Sequence, residues 1–336
     1  MTNPRRRRRA TTWTIVSVVA LAVVGGAAIG AAALAGLFGP AAPAPPGVGT
    51  RFAVLAESGA AQASTTATGA ALAAADYLES RPTAYWLTPE RDPIGAVGER
   101  VGALAGEARG QHATLALVVY GLPERDCGNH SAGGLDPADY PVWVDEIAAA
   151  LRDAHDVPAV VVLEPDSLAL ATECGNLDAR VPQLRTAVAA LQRPGTVIYL
   201  DGGHSTWHPA EEQARLLAAV GLDGVRGFST NVSNFNASGD EFDYAHAVAD
   251  ALAGSGAGEA HALVDTSRNG AGSDGQWCNP PGRLIGEASG TLGDGVVDTN
   301  LWIKPPGESD GPCNGGPAAG DWWPAAAIEL TRSAHE

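Results

Sequence analysis

A chain of 336 residues with 45% hydrophobic and 18% charged residues is long enough for one large domain or two modest ones, and too apolar to be a disordered polymer. Its formal net charge of −17 includes the five arginines Arg5–Arg9; with those set aside the remaining body carries −22. Such a body repels nucleic acid and anionic membrane, and it suits an uncharged partner better than a phosphorylated one.

Arg5–Arg9 precede an apolar span without charge that runs from Trp13 to Phe38. A positive segment followed by an apolar stretch reads as an export signal, and this stretch is long enough to cross a bilayer. Small residues around Ala31–Gly36 and Ala41–Ala44 allow cleavage, so secretion and an N-terminal membrane anchor both follow from the pattern. Residues 1–40 are therefore expected to be a signal peptide or anchor, 41–50 a Pro/Ala/Gly linker and 51–336 the folded domain. Export puts Cys127, Cys174, Cys278 and Cys313 in an oxidising compartment. There is no Cys-x-x-Cys, and only His130 lies close to a cysteine, so two disulfides are expected rather than a metal site. Nearest-neighbour pairing, one of three possibilities, would close loops of about 35–50 residues, each worth roughly 3–4 kcal/mol in the chain-entropy model.

After the linker an alternation repeats down the chain. Short apolar runs predict strands at Ala84–Leu87, Thr114–Tyr120, Ala159–Leu163, Thr196–Leu200, Gly227–Thr230, Ala260–Val264 and Asn300–Ile303. Between them, amphipathic stretches predict helices at Ala60–Glu79, Ile94–Gly110, Pro137–Ala154, Val181–Gln192, Pro209–Val220 and Glu241–Ala253, with a last one at Pro324–Ser333. No repeat appears at the 20–50-residue scale. Strands alternating with helices indicate an α/β protein with a parallel sheet of about seven strands, closed or partly closed as a barrel. Alternation does not separate a barrel from an open doubly wound sheet, but no Gly-x-Gly-x-x-Gly follows an early strand and no Walker motif occurs.

Polar residues gather where the strands end. The second strand runs into Gly121-Leu-Pro-Glu-Arg-Asp-Cys127 and the third into Glu164-Pro-Asp166, where proline stops the pairing. The fourth ends in Asp201-Gly-Gly-His204 with Trp207 beyond, and the fifth in Asn231. The sixth ends in Asp265 with Arg268 beyond, and the seventh in Lys304-Pro-Pro-Gly-Glu308-Ser-Asp310. In parallel α/β architectures these carboxyl ends share one face, where ligands bind. A carboxylate cluster there, without phosphate-binding glycines or metal-type histidines, is the equipment for breaking a glycosidic bond. Lys304 is the single lysine beside 20 arginines, and a compact ammonium at a strand end can do what a planar fork cannot.

Taken together, Tyr120…Arg125-Asp-Cys127, Leu163-Glu-Pro-Asp-Ser-Leu168, Tyr199-Leu-Asp-Gly-Gly-His-Ser-Thr-Trp207, Asn231-Val-Ser-Asn234, Asp265-Thr-Ser-Arg-Asn-Gly270, Trp277-Cys278 and Lys304-Pro-Pro-Gly-Glu-Ser-Asp-Gly311 resemble glycoside hydrolase family 6. These are cellulases that act on β-1,4-glucan with inversion. The resemblance runs from about Arg51 to the C-terminus, with the motifs in family order. It implies a distorted, partly open parallel β/α barrel and the disulfides Cys127–Cys174 and Cys278–Cys313. It makes Asp166 the general acid, Asp126 the aspartate that raises the acid's pKa and helps organise water, and Asp310 the residue proposed as base. Tyr120 matches the tyrosine beside the scissile bond, and Trp86, Trp207 and Trp277 match sugar-stacking tryptophans. Lys304 and Glu308 match hydrogen-bonding partners of the glucose on the non-reducing side. Asp201, His204 and Asn231 match residues of the cleft, and Ser131 matches a water-positioning serine. The expected partner is a β-1,4-glucan, with no cofactor, no metal and no nucleic acid, and the chain is expected to act as a monomer that meets membrane only through its N-terminal segment. Gly202 departs from the family's more usual alanine, and the arm before Arg51 is unmatched.

The residues fit that chemistry on their own terms. An inverting enzyme needs a protonated acid at the leaving oxygen and a base serving water on the opposite ring face, with the carboxyls roughly 6.5–9.5 Å apart. A neighbouring carboxylate keeps the acid protonated near neutrality, and eight tryptophans suit a neutral, aromatic-stacking ligand. A serine esterase is disfavoured because Gly203-His-Ser-Thr-Trp207 lacks the final glycine of a nucleophile elbow. A non-catalytic glucan-binding protein is the alternative of a different class, and a cellobiohydrolase the alternative within the family. Short segments at Cys127–Tyr140 and Asp310–Trp322 leave little chain to roof a cleft, which favours internal cutting.

Overall fold

The structure is a computed structural model that describes residues 44–128 and 133–334. Seven strands form one sheet: β1 Tyr85–Leu87, β2 Leu115–Val119, β3 Ala159–Leu163, β4 Thr196–Asp201, β5 Gly227–Thr230, β6 His261–Asp265 and β7 Val297–Leu301. Every neighbouring pair is parallel and the spatial order is the sequence order. A doubly wound sheet reverses its strand order at a switch point; this one never does, so it curls in one direction as a barrel. The curl stops short of closure. β1 and β7 share no ladder, and the seam carries the Ala84 N–H to Trp302 carbonyl bond of 2.9 Å and the Trp86 indole N–H to Ile303 carbonyl bond of 2.8 Å. β1 is short because Phe52 occupies the line below it, bridging to Thr114 beside β2.

The apolar runs are continuous because both faces are covered. On β2, Leu115, Leu117 and Val119 point out toward the helices, whereas Ala116 and Val118 point into the barrel with Val160, Val162, Tyr199, Leu263 and Leu301. Helices α1 Gly59–Ser64, α2 Gly69–Glu79, α3 Val97–Gln111, α4 Asp139–Asp153, α5 Ala171–Cys174, α6 Leu177–Leu191, α7 Ala210–Val220, α8 Ser238–Gly254 and α9 Pro324–Thr331 occupy the connections and flanks. At the amino-terminal end of the barrel Asp298 accepts the Tyr199 hydroxyl at 2.6 Å and both arms of Arg226 at 2.8 Å, with His261 Nδ1 3.1 Å away. That end is plugged, so the carboxyl ends of the strands are left to build a site.

Three expectations shift. The helix predicted over Ala60–Glu79 is two helices, because the Ser64 and Thr65 hydroxyls fold back onto the carbonyls of Ala61 and Gln62 and end the first one. The helix predicted from Val181 begins at Leu177, so Pro182 lies inside it; the added turn carries Arg180, whose guanidinium bonds the carbonyls of Pro123 and Glu124. β7 lies at Val297–Leu301 rather than Asn300–Ile303, with its first valine facing the outer core. The disulfides are Cys127–Cys174 and Cys278–Cys313, with Cα separations of 5.8 and 6.1 Å. Among the described residues no helix is long and apolar enough to cross a membrane, and the predicted span Trp13–Phe38 lies outside them.

Candidate active site

The site begins where β2 and β3 stop. Glu164, fully buried, turns its carboxylate onto the N–H groups of Gly121 and Leu122 at 3.1 Å, binding the end of β3 to the end of β2. Gly121 must be glycine there, since a Cβ would stand 2.7 Å from the Trp143 ring. The Glu164 clip sets two loops side by side, one carrying Asp126 and one carrying Asp166. Their backbones are strained: Asp126, Cys127, Glu164 and Asp166 have φ of 54°, 52°, 52° and 66°. Left-handed conformations outside glycine cluster at functional sites and cost of order 1–3 kcal/mol each. The Tyr120 hydroxyl donates to Asp126 Oδ2 at 2.5 Å, and the Arg125 guanidinium lies 4.2 Å from the Tyr120 ring centroid while bonding the Tyr120 carbonyl at 2.6 Å.

Asp166 is partly exposed by surface area, yet its carboxyl is set deep among protein atoms, and its pKa lies well above the carboxylate range. Burial is the largest cause, the charge of Asp201 the second and that of Asp126 the third. Asp201 accepts the backbone N–H of Asp166 at 3.0 Å and of Gly203 at 3.1 Å and is itself pushed up to about 7, chiefly by burial. Asp201 is thus a support under the Asp166 loop, not a residue on the cleft surface. Its neighbour Gly202 is required by close approach, because a Cβ would meet Phe228 Cδ2 and the Ser229 carbonyl at 2.9 Å. Tyr120, raised well above its usual value by burial and then by Asp126 and Asp166, stays a neutral donor.

A second group adjoins the first across the seam. Trp86 meets the Tyr120 ring edge-on at 5.2 Å, Lys304 Nζ lies 5.5 Å from the Trp86 centroid, and Lys304 faces Glu308 at 3.7 Å. Burial raises the Glu308 pKa, while the Lys304 charge works against it. Asp310 is held by Arg268 at 2.8 Å, with both side chains buried, and accepts the Asn279 N–H at 3.0 Å. Beneath them Asp265 accepts four backbone N–H groups, from Ser233, Ser267, Ile303 and Lys304, and so fastens the β5, β6 and β7 ends together.

The structure therefore gathers Trp86, Tyr120, Asp126, Asp166, Asp201, Lys304 and Glu308 into one connected group. His204 and Trp207 form a neighbouring pair with centroids 5.3 Å apart. His204 Nδ1 is bonded to Thr206 and Asn236, and burial lowers its pKa to about 4, leaving a neutral imidazole. Trp277 stands 48% exposed beside the Cys278–Cys313 disulfide. Asn231 is corrected from cleft contact to scaffold: it is fully buried, its amide donating to the carbonyls of Asn236 and Asp265 and accepting from the Asn236 N–H. Ser131 lies outside the described residues. The residues that a reading of the sequence left without a role are supports: Glu164, Arg268 and Asp265, noted only as strand-end polar groups, and the buried Glu241 of α8, which accepts from the Ser205 N–H and Asn236 at 3.0 Å and carried no signal in the sequence. Among the described residues no group of three or more His, Cys, Asp and Glu is arranged to hold a metal ion.

Glu164 yields a pH-dependent test. Burial raises its pKa from 4.5 to about 7 in the folded protein. The folded state then holds more protons than the unfolded one between those values, so the stability this group contributes is full below 4.5 and is lost as pH rises to about 7. Urea unfolding of wild type and Glu164→Gln across that window should show the wild type losing about 3 kcal/mol relative to the variant. A constant difference would mean that Glu164 ionises as readily as it does in water.

The chain matches the model of the glycosyl hydrolases family 6 over residues 50–334. It is 39% identical over 269 residues to Endoglucanase A of Cellulomonas fimi, an alignment covering 80% of this chain and 58% of that protein. The chain thus spans well under two thirds of that relative's length. In three dimensions it is similar to the endoglucanase Cel6 from Mycobacterium tuberculosis in complex with a methyl-cellobiosyl-4-deoxy-4-thio-β-D-cellobioside, with a TM-score of 0.79, 37% identity and coverage of 87% of this chain and 100% of that one. It is also similar to the catalytic core domain of the cellobiohydrolase Cel6A from Chaetomium thermophilum, with a TM-score of 0.74, 27% identity and coverage of 84% and 96%. A singly wound, incompletely closed parallel barrel, carboxylates at its strand ends and a family match over nearly all the described residues agree: the chain belongs to glycosyl hydrolases family 6.

Proposed function

We propose that this protein hydrolyses β-1,4-glucosidic bonds of cellulose or soluble β-glucan with inversion, and that Asp166 is the proton donor. The observation that carries the reading is the environment of Asp166: a carboxyl at the end of β3, kept protonated by burial, Asp201 and Asp126. Asp166 delivers its proton to the glycosidic oxygen as the C1–O bond breaks. Water attacks C1 from the opposite ring face and gives up a proton, for which Asp310 is the proposed acceptor. The Arg268 ion pair and the Asn279 N–H hold the Asp310 carboxylate in one orientation. The Tyr120 hydroxyl donates to Asp126, whose charge, after burial and Asp201, helps keep Asp166 a donor. Trp86, Trp207 and Trp277 offer ring faces to glucose, and Lys304 with Glu308 offers hydrogen bonds on the non-reducing side. His204, neutral, lines the cleft beside Trp207. Ser131, carried over from the family resemblance, is the candidate for positioning the attacking water.

Internal cutting is the finer reading. It is supported by the exposure of Trp277 and by the short segment between Asp310 and Trp322. The disulfides, the arginine-led apolar segment and the family match from residue 50 support export, with residues 1–40 as signal or anchor, 41–50 as linker and 51–336 as the catalytic domain.

Asp166→Asn should lower kcat on a soluble β-1,4-glucan by about 10²–10⁴-fold. A 2,4-dinitrophenyl cellobioside, whose leaving group departs without a proton, should be affected far less. Equal losses on both substrates would remove Asp166 from the role of acid. On carboxymethylcellulose, viscosity should collapse while few reducing ends have appeared; cellobiose release at constant viscosity would reject internal cutting.

A further inference from the structure

Asp126 has two carboxylate oxygens, and the site as described uses one. Oδ2 takes the Tyr120 hydroxyl, whereas Oδ1 is buried without a partner among the described residues. A second such atom is the hydroxyl of Ser167, the residue after Asp166, also buried without a partner among the described residues. Both residues line one small, largely enclosed cavity with about 10 Å³ of room for water, bounded also by Glu164, Arg180 and the Cys127–Cys174 disulfide.

That volume is about one water molecule's, and a buried water requires two or more polar partners. An ionised carboxylate oxygen left dry in the interior is worse than one immobilised water. We propose that a single ordered water fills this cavity, accepting the Ser167 hydroxyl proton and donating to Asp126 Oδ1, and that Ser167 is thereby a positioning residue for catalysis. The water joins the loop of the proton donor to the loop of its partner carboxylate. With Tyr120 on Oδ2 and the water on Oδ1, the Asp126 carboxylate is held in one rotamer, aimed at Asp166. The other charged or titratable groups around it are Tyr120 from β2, Arg125 on its own loop, Asp166 and Glu164 from the end of β3, and Arg180 from α6. Among these, the arginines favour the anion and Asp166 and Glu164, when ionised, oppose it. The inference rests on the assignment of Asp166 as acid and Asp126 as its ionised partner.

The consequence has a definite sign. The water bonds the Asp126 carboxylate and not that of Asp166, so its loss moves the acidic limb of the pH profile and not the alkaline limb set by the acid. Ser167→Ala should displace the acidic limb of kcat/KM upward by about one pH unit, a tenfold loss on that side, and leave the alkaline limb in place. Ser167→Thr keeps the hydroxyl and should restore the wild-type limb. A high-resolution crystal structure of the wild type should show a water within hydrogen-bond reach of Asp126 Oδ1 and Ser167 Oγ. An empty cavity, a protein atom in its place, or a Ser167→Ala profile lowered evenly at all pH and not rescued by threonine would overturn the proposal. Asp166→Asn, assayed in parallel, separates the two readings. Full activity in that variant defeats the acid assignment itself, whereas its inactivity beside a wild-type profile for Ser167→Ala defeats the water alone.

Discussion

The Glu164 clip is the constraint on which the active site depends. A parallel sheet brings strand ends to one face but does not dictate how the chain leaves them. By accepting the N–H groups of Gly121 and Leu122, Glu164 forces the exits of β2 and β3 to run together. This brings Tyr120, Asp126 and Asp166 to one place. A backbone N–H and a carboxylate, both sequestered from water, would each be destabilising alone, and together they satisfy one another. Arg180 continues the same device by bonding the carbonyls of Pro123 and Glu124 from α6.

The buried carboxylates of the barrel then divide by what surrounds them. Asp298 has Arg226 and Tyr199, Asp310 has Arg268, and Asp265 has four backbone N–H donors. Each is compensated and serves as a fastening. Asp166 differs, because burial, Asp201 and Asp126 all push its pKa in the same direction. One fold thus holds some carboxylates fastened by donors as structure and one among like charges as a reagent, and the separation comes from the placement of donors rather than from residue type.

Much of the fold could be read from the sequence because the signal was local. Ala159–Leu163 and Gly227–Thr230 are strands with the expected limits, since an unbroken apolar run buried on both faces has little else to form. β7 was harder: Asp298, Thr299 and Asn300 make it look like the approach to a strand, whereas Asp298 is drawn inward by partners on β4 and ahead of β5. The polar residues at strand ends were legible as a site, but contact and support looked alike. Asp201 and Asn231 end strands as Asp166 nearly does, and only the structure shows that their side chains turn to backbone groups beneath the surface. Glu164 was invisible as a clip because its donors lie 42 and 43 positions away in the chain.

The central claim is that a protonated Asp166 and a water on the opposite ring face act in one displacement. Proton NMR of the first product released from a soluble β-1,4-glucan tests it most directly, before mutarotation mixes the anomers. The account predicts the α-anomer at the new reducing end; a β-anomer formed first would mean retention through a covalent intermediate and would contradict it.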